Sequence, residues 1–307
     1  MPELSVLYSD ASWSPIGKIV GLTDDCVVAS YPVGPAGKVL FVPKVGGSSV
    51  MLDPFPGTNQ TPVGAFGDHV VVQHAAPRKQ QTTFLLSKDG EVVNLSKGAP
   101  MPKPNVFGAR IDNGGVYGNI MNSTQRVNAI WDFEGKIALS SADMYVAGTF
   151  NGNPVFGGVD VQLPATLGDS QALFVSNGWV LGRAFDVVDG KVKKSGAFSV
   201  SWIWNGSGPA KVLTHPGGKR FSCVSLSPDG RFAAGLSWDP NVVGQEGVVL
   251  DLKKNTALNL EQLAGCSEDG GVDFSSCRFD TDGSLFVKRT AVLNGPFEIV
   301  KISNLDK

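Results

Sequence analysis

A chain of 307 residues with 42% hydrophobic residues can bury a sizeable core, which excludes wholesale disorder. Its 38 glycines and 19 prolines, with 18% charged residues against about 25% in an average globular domain, suit many short strands joined by tight turns. Basic and acidic residues number 26 and 28, leaving a net charge of -2 and no basic tract to track a phosphate backbone, so nucleic-acid binding is not expected.

The opening MPELSVLYSD lacks the basic and apolar regions of an export signal, and no apolar run is long enough to span a bilayer. The expectation is a soluble protein without membrane insertion, cytoplasmic or virion-associated. Residues 3–9, ELSVLYS, read as a lone strand. After it one phrase recurs: an apolar strand, a tight Asp/Asn/Gly turn, and a second strand of small or apolar residues. Its copies are VGLTDDCVVAS (20–30), VGAFGDHVVVQ (63–73), GARIDNGGVYGN (108–119), VAGTFNGNPVFGG (146–158), ALFVSNGWVLGR (172–183), VSLSPDGRFAAG (224–235) and CRFDTDGSLFVK (277–288). The Asp-Gly and Asn-Gly pairs supply the positive φ that two-residue hairpins need.

Most copies lead into a third strand and a short fourth one, as in KVLFVPKVG then SSVMLD, TTFLLSKDG then EVVNLS, or GVVLDLKKN then ALNL. Each unit is therefore a four-stranded meander, repeated every 40 to 50 residues or so, the period of propeller blades. Alternating βα patterns and convincing amphipathic helices are absent. The expected fold is all-β: a single closed β-propeller over residues 1–307. Its last unit ends after PFEIVKIS without a fourth strand, and the strand at 3–9 is expected to complete that blade, burying an open edge. Counting turns gives seven blades. Residues 144–170 are too few for a full unit, and they read either as a truncated blade or as an extra hairpin in a six-bladed ring.

GARIDNGGVYGNIMNSTQRVNAIWDFEGKI resembles the repeats of HAF-type propeller proteins, and VSLSPDGRFAAGLSWD is similar to the blade phrase of TolB-like propellers. The resemblance implies a propeller. It implies no catalytic residue, because those groups share no single activity.

Ser227-Pro228-Asp229-Gly230 reads as a scaffold turn, since six other units place comparable residues there. Asp280 and Asp282 before Gly283 echo the first ligands of a calcium loop, but SLFVKRT follows where the completing acid belongs, so they remain a weak metal candidate and no cofactor is expected. Cys26, Cys223, Cys266 and Cys277 form no CxxC pair and read as free thiols, with a Cys266–Cys277 bridge the alternative. Trp131, Trp202 and Trp204 fall in third strands and read as packing residues. No nucleophile elbow, phosphate-binding loop or HExxH helix appears.

What varies between units is the loop from second to third strand: YPVGPAG, HAAPRKQQ, MNSTQR, FDVVDGKVKK, WDPNVVGQEG and TAVLNG. Variable loops on a uniform scaffold are where binding resides. The candidate partner-binding residues are His74, Arg78, Lys79, Asn122, Arg126, Trp238 and Asp239. The sequence thus reads as a non-catalytic binding or structural module, part of a larger assembly such as a virion tail or adhesion apparatus. Its partners would be other proteins of that assembly or a surface glycan. The alternatives are a propeller hydrolase or lyase with acid and base in the central funnel, and a carbohydrate-binding propeller.

Overall fold

Each of the seven recurring phrases folds as the antiparallel hairpin that its turn chemistry dictates. The structure is a computed structural model and describes residues 2–10, 17–33, 36–75, 80–112, 115–141, 147–150, 153–156, 159–176, 179–192, 200–239, 241–242 and 244–306. The chain divides into two units, residues 7–146 and residues 1–6 with 147–307.

The first strand, β1 (Glu3–Asp10), is hydrogen-bonded into the last sheet of the chain. The 7–146 unit then contains three four-stranded meanders. They are β2 (Ile19–Leu22), β3 (Cys26–Val33), β4 (Ala36–Pro43) and β5 (Val50–Leu52); β6 (Asn59–Phe66), β7 (His69–Ala75), β8 (Gln81–Ser87) and β9 (Val92–Asn94); and β10 (Asn105–Asp112), β11 (Gly115–Met121), β12 (Arg126–Trp131) and β13 (Ile137–Ser141). The sheets stack through apolar layers. Val28, Val39 and Phe41 of the first pack with Val70, Val72 and Leu86 of the second, while Val71 and Leu85 on the opposite face pack with Val106, Ile120 and Trp131 of the third. That two-sided burial explains why these strands read as nearly continuous apolar runs.

The 147–307 unit begins with a three-stranded sheet, β14 (Ala147–Phe150), β15 (Asn153–Phe156) and β16 (Val159–Asp160). The next is β17 (Leu167–Ser176), β18 (Trp179–Val188), β20 (Val200–Trp204) and β21 (Lys211–Val212), with the two-residue β19 (Lys191–Val192) paired to the end of β18. Then come β22 (Arg220–Leu226), β23 (Phe232–Trp238), β24 (Gln245–Asp251) and β25 (Thr256–Asn259), a single helical turn α1 (Leu260–Leu263), and β26 (Gly271–Phe279), β27 (Leu285–Thr290) and β28 (Phe297–Ser303). The last sheet has the order β1-β28-β27-β26, so the strand expected at 3–9 does supply its fourth, outer member.

The expected preference for seven blades is corrected: the described residues form six four-stranded blades. The phrase at 146–158 makes a hairpin like the others, but the strands of its sheet hold four, four and two residues, and among the described residues no fourth strand joins them. A hairpin signature reports the local turn, not how many strands follow it.

One feature of all six blades had no sequence signal. The first strand slips register against the second in each, between Ile19 and Gly21, Pro62 and Gly64, Gly108 and Arg110, Gly168 and Gln171, Cys223 and Ser225, and Asp273 and Arg278. Such bulges add local twist. At the first of them Gly21 is required, because a Cβ there would stand 2.5 Å from the backbone nitrogen of Ala65 in the next sheet.

Ser227–Gly230 is the scaffold turn its sequence indicates. The Gly230 N–H donates to Ser227 O at 2.9 Å, the Ser227 hydroxyl donates to Asp229 Oδ1 at 2.6 Å, and the Phe232 N–H closes the turn on Ser227 Oγ at 2.8 Å. Trp131, Trp202 and Trp204 are buried, as packing residues should be.

Candidate functional site

In an antiparallel meander the loop from second to third strand lies at the same end as the connection arriving from the preceding sheet. The two therefore form one surface for each blade. In the 7–146 unit this end of the second blade gathers His74 from β7, Thr82 and Phe84 from β8, and Phe55 and Thr58 from the incoming connection. The register places Gln60, His74 and Thr82 side by side on one face. Phe55 packs at 4.5 Å from both the His74 and the Phe84 rings.

The His74 tautomer follows from its partners. The Thr58 hydroxyl donates its only hydrogen to Phe55 O at 2.6 Å, so in its 3.0 Å contact with His74 Nε2 it accepts. Nε2 therefore carries the proton, and Nδ1 accepts from Thr82 Oγ1 at 3.3 Å. Both ring nitrogens are engaged, leaving the half-buried rings of His74, Phe55 and Phe84 as a fixed apolar shelf. His74 is a sequence candidate from the loop after β7, and Phe55, Thr58 and Thr82, which meet its ring, lie outside that loop.

The other candidates separate. Arg78 and Lys79 lie outside the described residues. Asn122 is a turn former: its Oδ1 accepts the Thr124 and Gln125 N–H groups, both at 2.9 Å. Arg126 opens β12 and is exposed. A groove of about 610 Å³ in this unit is lined by Phe84, Val92, Lys97, Glu134, Lys136 and Ile137, and none of the predicted site residues reaches it.

In the 147–307 unit, Trp238 closes β23 and is 7% exposed, so its ring is packed rather than offered to solvent. Asp239 accepts the Asn241 N–H at 2.8 Å and shapes the loop. Beside them stand ion pairs joining neighbouring elements: Arg220 of β22 with Asp186 of β18, and Lys219 with Glu246 of β24. His215, in the connection entering β22, accepts the Gly217 N–H on Nδ1 at 3.0 Å and points Nε2 toward Glu246 Oε1, 4.0 Å away. Burial holds its pKa below the ordinary histidine value, Glu246 pulls the other way, and Lys219 reinforces the decrease.

Exposure reveals what polarity did not. Seven large aliphatic side chains are described as exposed in this unit: Leu4, Val6, Val188, Val192, Val242, Val292 and Leu293. The first two belong to β1. The other five all sit on segments linking second to third strands, in three successive blades. Val242 and Leu293 are 64% and 66% exposed. The opposite turns of the same blades, around residues 205–210, 227–230, 252–255 and 280–283, carry no exposed large aliphatic among the described residues. Lone exposed aliphatics need no explanation, but five collected on one end form a pattern.

Asp280 and Asp282 both take part in the turn between β26 and β27. Asp282 accepts the Ser284 N–H at 2.8 Å and pairs with Lys301 at 3.1 Å, while Asp280 Oδ1 accepts the Thr281 N–H at 2.9 Å. No cluster of three or more His, Cys, Asp or Glu side chains is found among the described residues. All four cysteines are free.

An oligogalacturonate lyase from Vibrio parahaemolyticus aligns over 98% of this chain and 96% of its own with a TM-score of 0.52 at 9% identity. An oligogalacturonate lyase in complex with manganese aligns over the same shares with a TM-score of 0.50 at 7% identity. This chain has a β-propeller fold. TolB from Acinetobacter baumannii aligns with a TM-score of 0.42 at 10% identity, over 91% of this chain, which spans 63% of that protein's length. No family model matches the chain, and no curated protein sequence matches it. At these identities the alignments show fold alone. No helix of the described residues is long and apolar enough to cross a membrane.

Proposed function

We propose that this chain is a non-catalytic β-propeller binding module, a component of a larger assembly, that grips a protein partner through its second-to-third-strand loops. The observation that carries the reading is that in the 147–307 unit the exposed large aliphatics outside β1, namely Val188, Val192, Val242, Val292 and Leu293, all lie on the segments linking second to third strands. Exposed apolar side chains on loops whose flanking strands carry ion pairs, such as Arg220–Asp186 and Lys219–Glu246, have the mixed apolar and polar make-up of a protein interface. The candidates Asn122 and Asp239 support the reading indirectly, because their carbonyl and carboxylate oxygens hold loop shape.

The test compares three forms of the purified chain as bait in extract of the source cell: wild type, Val242→Asp with Leu293→Asp, and Lys254→Asp at the opposite turns. A partner retained by wild type and Lys254→Asp but lost from the double variant is expected. Equal retention by all three forms, or turnover of oligogalacturonate by the wild-type chain, contradicts the reading. All three substituted positions are exposed, so the variants are expected to fold.

A further inference from the structure

Leu4 and Val6 stand apart from the loop surface, on β1, the outer strand of the last sheet. In the other five blades the outer strand is short: β5, β9, β13, β21 and β25 hold two to five residues. β1 holds eight, ELSVLYSD, with neither lysine nor proline among them. Its inner edge is bonded to β28. Among the described residues no strand pairs its outer edge, and no backbone group of residues 3–9 bonds outside that sheet.

Such an edge is a row of N–H and C=O groups at the spacing of a further strand, and proteins blunt it by shortening the strand or placing Lys or Pro on it. The other outer strands are shortened. β5 and β9 expose Val50, Met51 and Val92, but each holds only three residues. β1 has none of these protections. In residues 3–6, which belong to the 147–307 unit, every position is exposed, Leu4 at 41% and Val6 at 50%. Strand alternation puts Leu4 and Val6 on one face and Glu3 and Ser5 on the other. The charge of the edge selects its occupant. The carboxylates of β1 are Glu3 and Asp10, and it carries no basic side chain. Asp10 accepts the Tyr31 hydroxyl at 2.8 Å, whereas Glu3 is exposed. A second copy of β1 brings only like charge to this edge, and a strand with a basic residue brings the opposite charge.

We propose that the outer edge of β1 receives an extended segment of a protein partner as a further β-strand, apolar at alternate positions to meet Leu4 and Val6 and carrying Lys or Arg opposite Glu3. Main-chain hydrogen bonds hold such a segment, and the alternate side chains select it. The site stands independently of the loop surface described above.

The test titrates the full chain with a fluorescent peptide, Lys-Thr-Val-Thr-Val-Thr-Lys, and reads polarisation together with hydrogen exchange of the β1 amides. Binding is expected, with exchange slowed at alternate amides within residues 3–9. The same peptide with Glu at both ends should bind about threefold more weakly. Methylating the peptide's backbone nitrogens should cost about tenfold or more, because the main-chain bonds are lost while the protein is unchanged. Val6→Lys, at an exposed position of β1, should weaken the Lys-ended peptide by about tenfold. Unchanged β1 exchange in the presence of the peptide, or equal binding of its N-methylated form, overturns the proposal. So does self-association of the chain that slows the β1 amides without peptide, which would make a second copy the occupant.

Discussion

Gly230 offers the sharpest test of how these blades are held together. It sits at φ +68°, where an L side chain costs about 1–2 kcal/mol, and a Cβ there would stand 2.3 Å from Cζ2 of Trp179 in the preceding blade. Overpacking against a fixed ring adds roughly 1–3 kcal/mol. Gly230→Ala should therefore lose about 2–5 kcal/mol by urea denaturation, with the slope unchanged. The corresponding turn of the last blade supplies the control. Gly283 has φ +80° with nothing within 4 Å of its Cβ position, so Gly283→Ala should lose only the backbone share, about 1–2 kcal/mol. Replacing Trp179 by Ala should bring the Gly230→Ala loss down to the Gly283→Ala level. Equal losses for the two glycine variants in the wild-type background would refute the claim that the turn doubles as a packing contact between blades.

Three further outcomes follow from the same geometry. The Gly217 N–H bond to His215 Nδ1 requires a neutral ring, so its contribution is present above the ordinary histidine value of about 6.5 and lost as pH falls through the lowered folded value. His215→Asn keeps an acceptor in place and should remove that pH dependence from Gly217 amide exchange; unchanged dependence contradicts the assignment. Arg231 heads the causes that hold Asp251 at a pKa of about 2, so the stability difference between wild type and Asp251→Asn should be constant above about pH 4 and shrink between pH 4 and 2. Burial pushes the Cys277 thiol up to about 12 and Cys223 higher still, so a thiol reagent should spare both in the native state and reach the half-buried Cys266 first.

Much of the architecture was legible because its determinants are local. Asp-Gly and Asn-Gly pairs specify hairpins, and the apolar runs beside them specify strands buried on both faces. The lone strand ELSVLYS could be assigned to the last sheet because an unfilled edge remained there. Blade number was less legible, since the hairpin at 146–158 carries the same turn signal as a full blade. The bulges that fall between Ala29 and Val28, between Val72 and Val71, and opposite Val287 depend on how each first strand registers on its neighbour, which no short window of sequence encodes.

The loops FDVVDGKVKK, WDPNVVGQEG and TAVLNG stood out by their variability, but the residues chosen within them were the polar and aromatic ones. Trp238 proved packed and Asp239 a loop former, while the exposed positions are plain aliphatics: Val188, Val192, Val242, Val292 and Leu293. A valine gives the same sequence signal whether it faces core or solvent, so exposure had to come from the structure.

The central claim, that a protein partner docks on the second-to-third-strand loops, is tested most directly by site-specific photo-crosslinking in the source cell. A photoreactive residue is placed in turn at Val242, Leu293, Asn255 and Asp282. The account predicts one discrete crosslinked partner from Val242 and Leu293 and none from Asn255 or Asp282 at the opposite turns. Crosslinks of equal yield from both ends, or from the Asn255 and Asp282 positions alone, would contradict it.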